Sequence, residues 1–223
     1  MNWWVADLYQ SSPALLVSWA FWIIFSITLH ELAHGWAALR AGDDTPRVTG
    51  HMTWNPLVHM GMTSLVMFAI VGIAWGAMPV NPSNFRGRHD DARVAAAGPA
   101  MNLGLGLTAC VLAAAWFFIG PRVAPQHLDD NVAMFFLVGA AANLALMILN
   151  LMPFPPLDGS RVIASFVPSY RNLIYSDQGP MIALFGLIIV FYALGGRVFE
   201  WSIAAAHFII GFLVQTFGPS VVP

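Results

Sequence analysis

The sequence predicts an all-α polytopic membrane protein, and three observations carry that expectation. Hydrophobic residues fill 58% of the 223 positions and charged residues only 9%, whereas an ordinary soluble domain carries about 25% charged residues. Mean hydropathy is +0.70. Several apolar stretches approach the ~20 residues that a helix needs to cross a hydrocarbon core. The expectation is about five to six transmembrane helices, plus a short β-hairpin or re-entrant region at about 44–80. The same composition excludes a disordered chain. A net charge of −2 without a basic cluster excludes nucleic acid as a partner. All nine basic residues are arginines, and the single Cys110 allows no internal disulfide.

The elements follow in order. The leading MNWWVADLYQSS has no Arg or Lys, so it lacks the positive region of a secretory signal. Residues 13–41 read as one retained helix, with Gly42 as its stop. The polar interval DDTPRVTGHMTWNPLVH is rich in Thr, Val and Trp, which predicts a short hairpin or strand around Arg47–Trp54. Residues 61–78 fit either a spanning or a re-entrant helix. After the loop PVNPSNFRGRHDD, residues 91–119 read as a helix whose small residues favour close packing. A helix over 132–152 is followed by the proline-rich break MPFPPLDGS, a shorter piece over 160–168, and apolar segments at 180–195 and 199–217. No repeat or linker divides the chain. It reads as one domain over 1–223, with a catalytic core at 13–168 and C-terminal helices at 180–217. Trp3, Trp4, Trp54 and Trp75 suit an interfacial aromatic belt.

With so few ionisable residues, each needs a reason to lie in an apolar chain. His30-Glu31-Leu32-Ala33-His34 places two imidazoles one turn apart on one helix face, where both reach one metal ion. Glu31 stands one step away, able to take a proton from a metal-activated water. A catalytic zinc site has three protein ligands and one open position. Candidates for the third are His51, His59, His89, His127, His207, Asp158 and a few loop carboxylates. Asp158 stands out, because it sits in an irregular break between apolar helices, and such a break is tolerated only where it is packed in protein or lines a wet cavity. The alternative for Asp158 is a helix N-cap.

These residues resemble the site-2 proteases, intramembrane zinc metalloproteases of peptidase family M50. The likeness covers about residues 27–165 and rests on HELAH, TGHMTWNPLVHMG, AAAGPAMN at 95–102 and LNLMPFPPLDGSRV at 149–162. It implies one Zn2+ held by His30, His34 and Asp158, with Glu31 as catalytic base. Asn150 matches an asparagine that the family places beside the metal. It either donates to the substrate oxyanion or serves as interhelical glue with Asn143, two turns away; Asn102 reads as packing against that row. The chain departs from the family pattern at Gly61, where an Asp is common, and in the loop Trp75-Gly76-Ala77-Met78-Pro79-Val80-Asn81, where a Lys is common. Nothing in it resembles an inserted PDZ or CBS domain, which suggests the minimal form.

The metal reading constrains topology. For His30 and Asp158 to lie at one depth, helices 13–41 and 132–152 must run in the same direction, which requires 61–78 to return to the side it left. The arginines agree. Arg40, Arg47, Arg86, Arg88, Arg93, Arg161 and Arg171 then share one side against Arg122 and Arg197, and the positive-inside rule makes that side cytoplasmic. The expected location is the cell membrane, with the active site towards the cytoplasm and a transmembrane protein as substrate. The resemblance implies hydrolysis of a peptide bond within or near the transmembrane segment of such a substrate, as regulated intramembrane proteolysis, with an exposed strand near Arg47–Trp54 as one way to hold it. The competing classes are a membrane transporter using its buried His and Asp, and a non-catalytic membrane partner with a structural metal site.

Overall fold

The computed structural model describes residues 4–217, except the side chain of Phe191, so Trp3 of the expected belt lies outside the described residues. Every regular element is helical: α1 (Trp4–Ser11), α2 (Pro13–Ala41), α3 (Thr45–Val48), α4 (Pro56–Val71), α5 (Asp90–Val123), α6 (Gln126–Asn150), α7 (Asp158–Phe166), α8 (Pro168–Ile174), α9 (Gly179–Ile188) and α10 (Gly195–Phe217). The all-α polytopic expectation holds. Among the described residues, four helical runs are long and apolar enough to cross a membrane: α2, α5, α6 and the continuous run Gly179–Phe217.

Two local features bear on the expected five to six. The segments at 180–195 and 199–217 are one run, because a π-helical turn at Ile189–Leu194 bridges α9 and α10 instead of a break. α4 is only 16 residues long and kinks at Gly61, so at about 1.5 Å per residue it falls short of a ~30 Å core. Gly61 takes φ +66°, a conformation that glycine adopts at no steric cost. The hairpin expected around Arg47–Trp54 is replaced by the single helical turn α3, and no strand occurs among the described residues. Pro46 at the second position of that turn favours a helical start over a ladder.

α2 has the ends its sequence announces. The Ser12 side chain accepts from the Leu15 N–H at 3.2 Å, Pro13 occupies the first position, and Gly42 closes the helix at φ +100°. α5 packs against α2 through small residues, with Val94 fully buried against Ala38 and Ala41. At the other end of α2, the Trp22 indole N–H donates to the Phe135 carbonyl at 2.8 Å, near the start of α6. α2 and α6 therefore run in the same direction with α5 antiparallel between them.

The excursion from 42 to 89 leaves and returns at one end of this bundle. The Arg86 N–H donates to the Ala41 carbonyl at 3.1 Å. Asp43, wholly buried, accepts from the Asn81 N–H at 2.7 Å and the Asn84 amide at 2.8 Å. Between these anchors, the chain turns at Gly72 and comes back along α4: the Ala77 N–H meets the His59 carbonyl at 2.9 Å, and Ser64 Oγ donates to the Trp75 carbonyl at 2.7 Å. The Trp4 ring packs on Phe68 of α4, with centroids 5.6 Å apart.

Candidate metal centre

His30, Glu31 and His34 project from the middle of α2 and are all buried. Asp158 is the first residue of α7, brought in by the proline-rich break after α6. Its Oδ2 lies 3.1 Å from His30 Nε2 and 3.3 Å from His34 Nε2, while the two Nε2 atoms are 3.0 Å apart. Among the described residues, this is the one group of three or more His, Cys, Asp or Glu side chains whose ligand atoms converge, all within 4.8 Å of one another.

The proton inventory decides what this triangle holds. His34 Nδ1 is 2.7 Å from the Val94 carbonyl, which only accepts, so Nδ1 carries the proton. His30 Nδ1 is 2.6 Å from Asn102 Oδ1. Both imidazoles thus spend their Nδ1–H away from the triangle and turn Nε2, the ligand atom, inward. Asp158 Oδ2 is buried without a hydrogen-bond partner. Three acceptor atoms facing one another in a buried site repel unless a cation lies between them. Two imidazoles and one carboxylate, with outer N–H groups tethered, are the donor set that zinc takes in catalytic sites. The residues fit the ion.

Room for it comes from α5. A methyl at Gly98 would stand 2.5 Å from Nε2 of both histidines. Facing the triangle is a cavity of about 1030 Å³, lined by Glu31, by residues 72–78 and by Leu146, Leu149 and Asn150 of α6. Glu31 reaches this cavity beneath Gly76. Asn150 lines it too, its amide turned back to the Leu146 carbonyl at 3.0 Å. Its volume matches the upper range of small-ligand pockets.

The other candidate ligands stand apart. The His59 ring N–H donates to the Thr53 carbonyl at 2.7 Å, and the His51 ring lies 6.5 Å from it. His89 stacks on Phe166, and His207 bonds within its own helix to Ile203. His127 is exposed. Two residues have more intimate roles than the sequence suggested. Gly98 and Asn102, one turn apart in AAAGPAMN, both face the histidines, and Asn102 bonds His30 as well as packing on Asn143. Their i, i+4 spacing on a small-residue face was the available signal.

Comparison with known proteins agrees with the geometry. The model of peptidase family M50 matches residues 18–125 and 118–194, well over half of the chain. The chain is 34% identical over 148 residues to "Putative zinc metalloprotease YwhC" of Bacillus subtilis, covering 66% of this chain and 67% of that protein. It is 30% identical over 183 residues to "Putative zinc metalloprotease Rip2" of Mycobacterium tuberculosis H37Rv, covering 78% and 66%. With the Mycolicibacterium smegmatis protein of the same name, the match is 30% over 147 residues and covers 53% of that protein. The chain thus spans between about half and two thirds of the length of these relatives. No solved structure matches it significantly. By the family match, by the relatives and by a donor set that suits zinc, the chain belongs to peptidase family M50, the site-2 proteases, and is a zinc metalloprotease with helices fit to cross a membrane.

Proposed function

We propose that this chain hydrolyses a peptide bond in or near the transmembrane segment of a membrane-anchored protein, as an intramembrane protease in regulated proteolysis. His30, His34 and Asp158 hold the zinc ion in this reading. The observation that carries it is the convergence of three buried lone pairs beside Glu31 at the wall of a cavity.

Bound there, zinc supplies a Lewis acid that brings the pKa of a water towards neutrality and polarises a peptide carbonyl. Glu31 then takes the proton from the attacking water at its carboxylate and returns it to the leaving amine. Asn150 offers an amide to the developing oxyanion once it turns from Leu146.

A helical substrate hides its carbonyls in its own backbone bonds, so it must unwind before attack. The segment 73–80 offers a partner for the unwound stretch, and it supersedes Arg47–Trp54 in that role. The N–H groups of Trp75 and Ala77 are taken by α4. Those of Gly76 and Met78, beside the cavity, bond nothing among the described residues. An extended substrate would pair with that free edge by strand addition. The arginine distribution supports a cytoplasmic position for the zinc end, in the cell membrane.

The test is cleavage of a single-span model protein in detergent by the wild type, Glu31→Ala and Asp158→Ala, with zinc counted by elemental analysis. Expected are one zinc per chain, lost in His30→Ala, and no cleavage by either carboxylate variant. Cleavage retained in Glu31→Ala overturns the mechanism.

A further inference from the structure

Asn102 and Asn143 are each wholly buried at the helix interfaces behind the histidines. A buried asparagine in an apolar bundle has a cost unless every polar atom is used, so the direction of each bond between them carries information. The chain of bonds begins at the Gly139 carbonyl, which only accepts. The Asn143 amide therefore donates to it, at 2.9 Å. That leaves Asn143 Oδ1 to accept from the Asn102 amide at 3.0 Å. Asn102 Oδ1 is then the atom presented to His30 Nδ1 at 2.6 Å. Since this oxygen has no proton to give, the proton between them belongs to His30. Every step follows from the one before, and the chain ends on the ring nitrogen that decides which face of His30 is a lone pair.

We infer that the relay Gly139–Asn143–Asn102 is a positioning device for His30, holding the imidazole in the tautomer and ring orientation that present Nε2 to the metal. The inference rests on the zinc reading above and adds two residues to it. His34 receives the same service from the Val94 backbone carbonyl, which no side-chain substitution removes. His30 has no such carbonyl, and the asparagine pair carries a backbone acceptor from α6 across α5 to reach it. The device also joins three spanning helices at the level of the metal, since His30, Asn102 and Asn143 lie on α2, α5 and α6.

The experiment measures zinc affinity by chelator competition in detergent for the full chain, with helical content and the melting curve of the metal-free protein as folding controls. Asn102→Leu removes the acceptor and is expected to weaken zinc binding about 10–100-fold, the usual cost of losing an outer-shell partner. Asn102→Asp keeps an acceptor on Nδ1 and gives up the bond to Asn143, so its affinity should stay within a few-fold of wild type. Asn143→Leu frees the Asn102 amide to turn over and should weaken binding by a smaller factor than Asn102→Leu. A purely structural role predicts that Asp and Leu at 102 lose affinity alike. Equal loss in the two, or wild-type affinity in Asn102→Leu, overturns the relay. If Asn102→Leu does not fold, Asn102→Asp decides alone: a tenfold or greater loss overturns the inference. His30→Ala separates the two levels. Loss of zinc there leaves the relay to be judged on position 102, whereas full retention overturns the metal reading and the relay together.

Discussion

Gly98 of α5 packs against His34 of α2 so closely that a Cβ would stand 2.5 Å from its Nε2, and at the same distance from that of His30. The absent side chain is the space in which the ligand atoms converge. Gly98→Ala should therefore push the imidazoles apart and lower zinc affinity by about a hundredfold, the upper range for disturbing a ligand's surroundings. Zinc retention after dialysis against a graded chelator series, with helical content as control, checks it.

Gly76 stands in the same relation to the base. A Cβ there would lie 2.5 Å from Glu31 Oε1 and 2.6 Å from its Cγ. Gly76→Ala should leave zinc in place while cutting cleavage by about a hundredfold, as displacing a reacting group by ~1 Å does. Zinc analysis beside the cleavage assay distinguishes it from Gly98→Ala; loss of metal from Gly76→Ala would contradict the assignment.

Arg161 on α7 and Asp91 on α5 are joined at 2.6 Å, with both side chains partly shielded from solvent. Arg161 lies one turn beyond Asp158, so the pair anchors the short helix that delivers the carboxylate. A double-mutant cycle of Arg161→Met and Asp91→Leu in thermal unfolding should give a coupling of about 1 kcal/mol, above most exposed pairs. Each single variant should also loosen zinc. Additive single effects would show that the pair does not act as a clamp.

Asp43 makes stability depend on acid. Burial by itself would raise its pKa, but the Thr45 hydroxyl, the Asn81 N–H, the Asn84 amide and the Thr45 N–H together hold it below its ordinary value of 3.8. A folded-state pKa below the unfolded one gives stability that is complete above the unfolded value and is lost as pH falls through the folded value. Asp43→Asn should cost about 1–3 kcal/mol near neutral pH through unsatisfied partners, and its melting temperature should fall less than that of the wild type below pH ~4. Parallel melting curves across pH would refute the assignment.

The excursion between α2 and α5 begins and ends together, so Arg47 and Arg88 should be reached from one side of the membrane. In a Cys110→Ser background, Arg47→Cys and Arg88→Cys should label with the same impermeant reagent, and Arg122→Cys at the far end of α5 from the other side. Labelling of the first two from opposite sides would remove the shared-side topology.

The limits of α2, residues 13–41 with Gly42 as the stop, were legible because helix ends are set locally, and the structure adds Ser12 as the cap at the other end. The histidine pair was legible for the same reason, since i, i+4 spacing on a helix needs no tertiary knowledge. Asp158 was legible as an anomaly, a carboxylate in an apolar break. The region from 44 to 80 was not. Its Thr, Val and Trp suggested a strand, but strand propensity reflects packing against a neighbouring strand, and none is present there among the described residues. Its path is instead set by bonds to Asp43, His59 and Ser64, which are 38, 18 and 11 residues from their partners Asn81, Ala77 and Trp75.

By itself, the sequence determined the membrane class, the ends of α2, the His30–Glu31–His34 constellation and the common direction of the two helices that meet at the metal. These follow from composition, from spacing along one helix and from the requirement that ligands share a depth. Only the tertiary structure decided that Gly98 supplies the space for the ligand atoms, that Asn102 faces His30 rather than merely packing on the Asn143 row, and that residues 73–80 wall the cavity above Glu31. The physical reason is that a helix shows its neighbours a face, and which neighbour meets that face is set by packing between segments far apart in the chain.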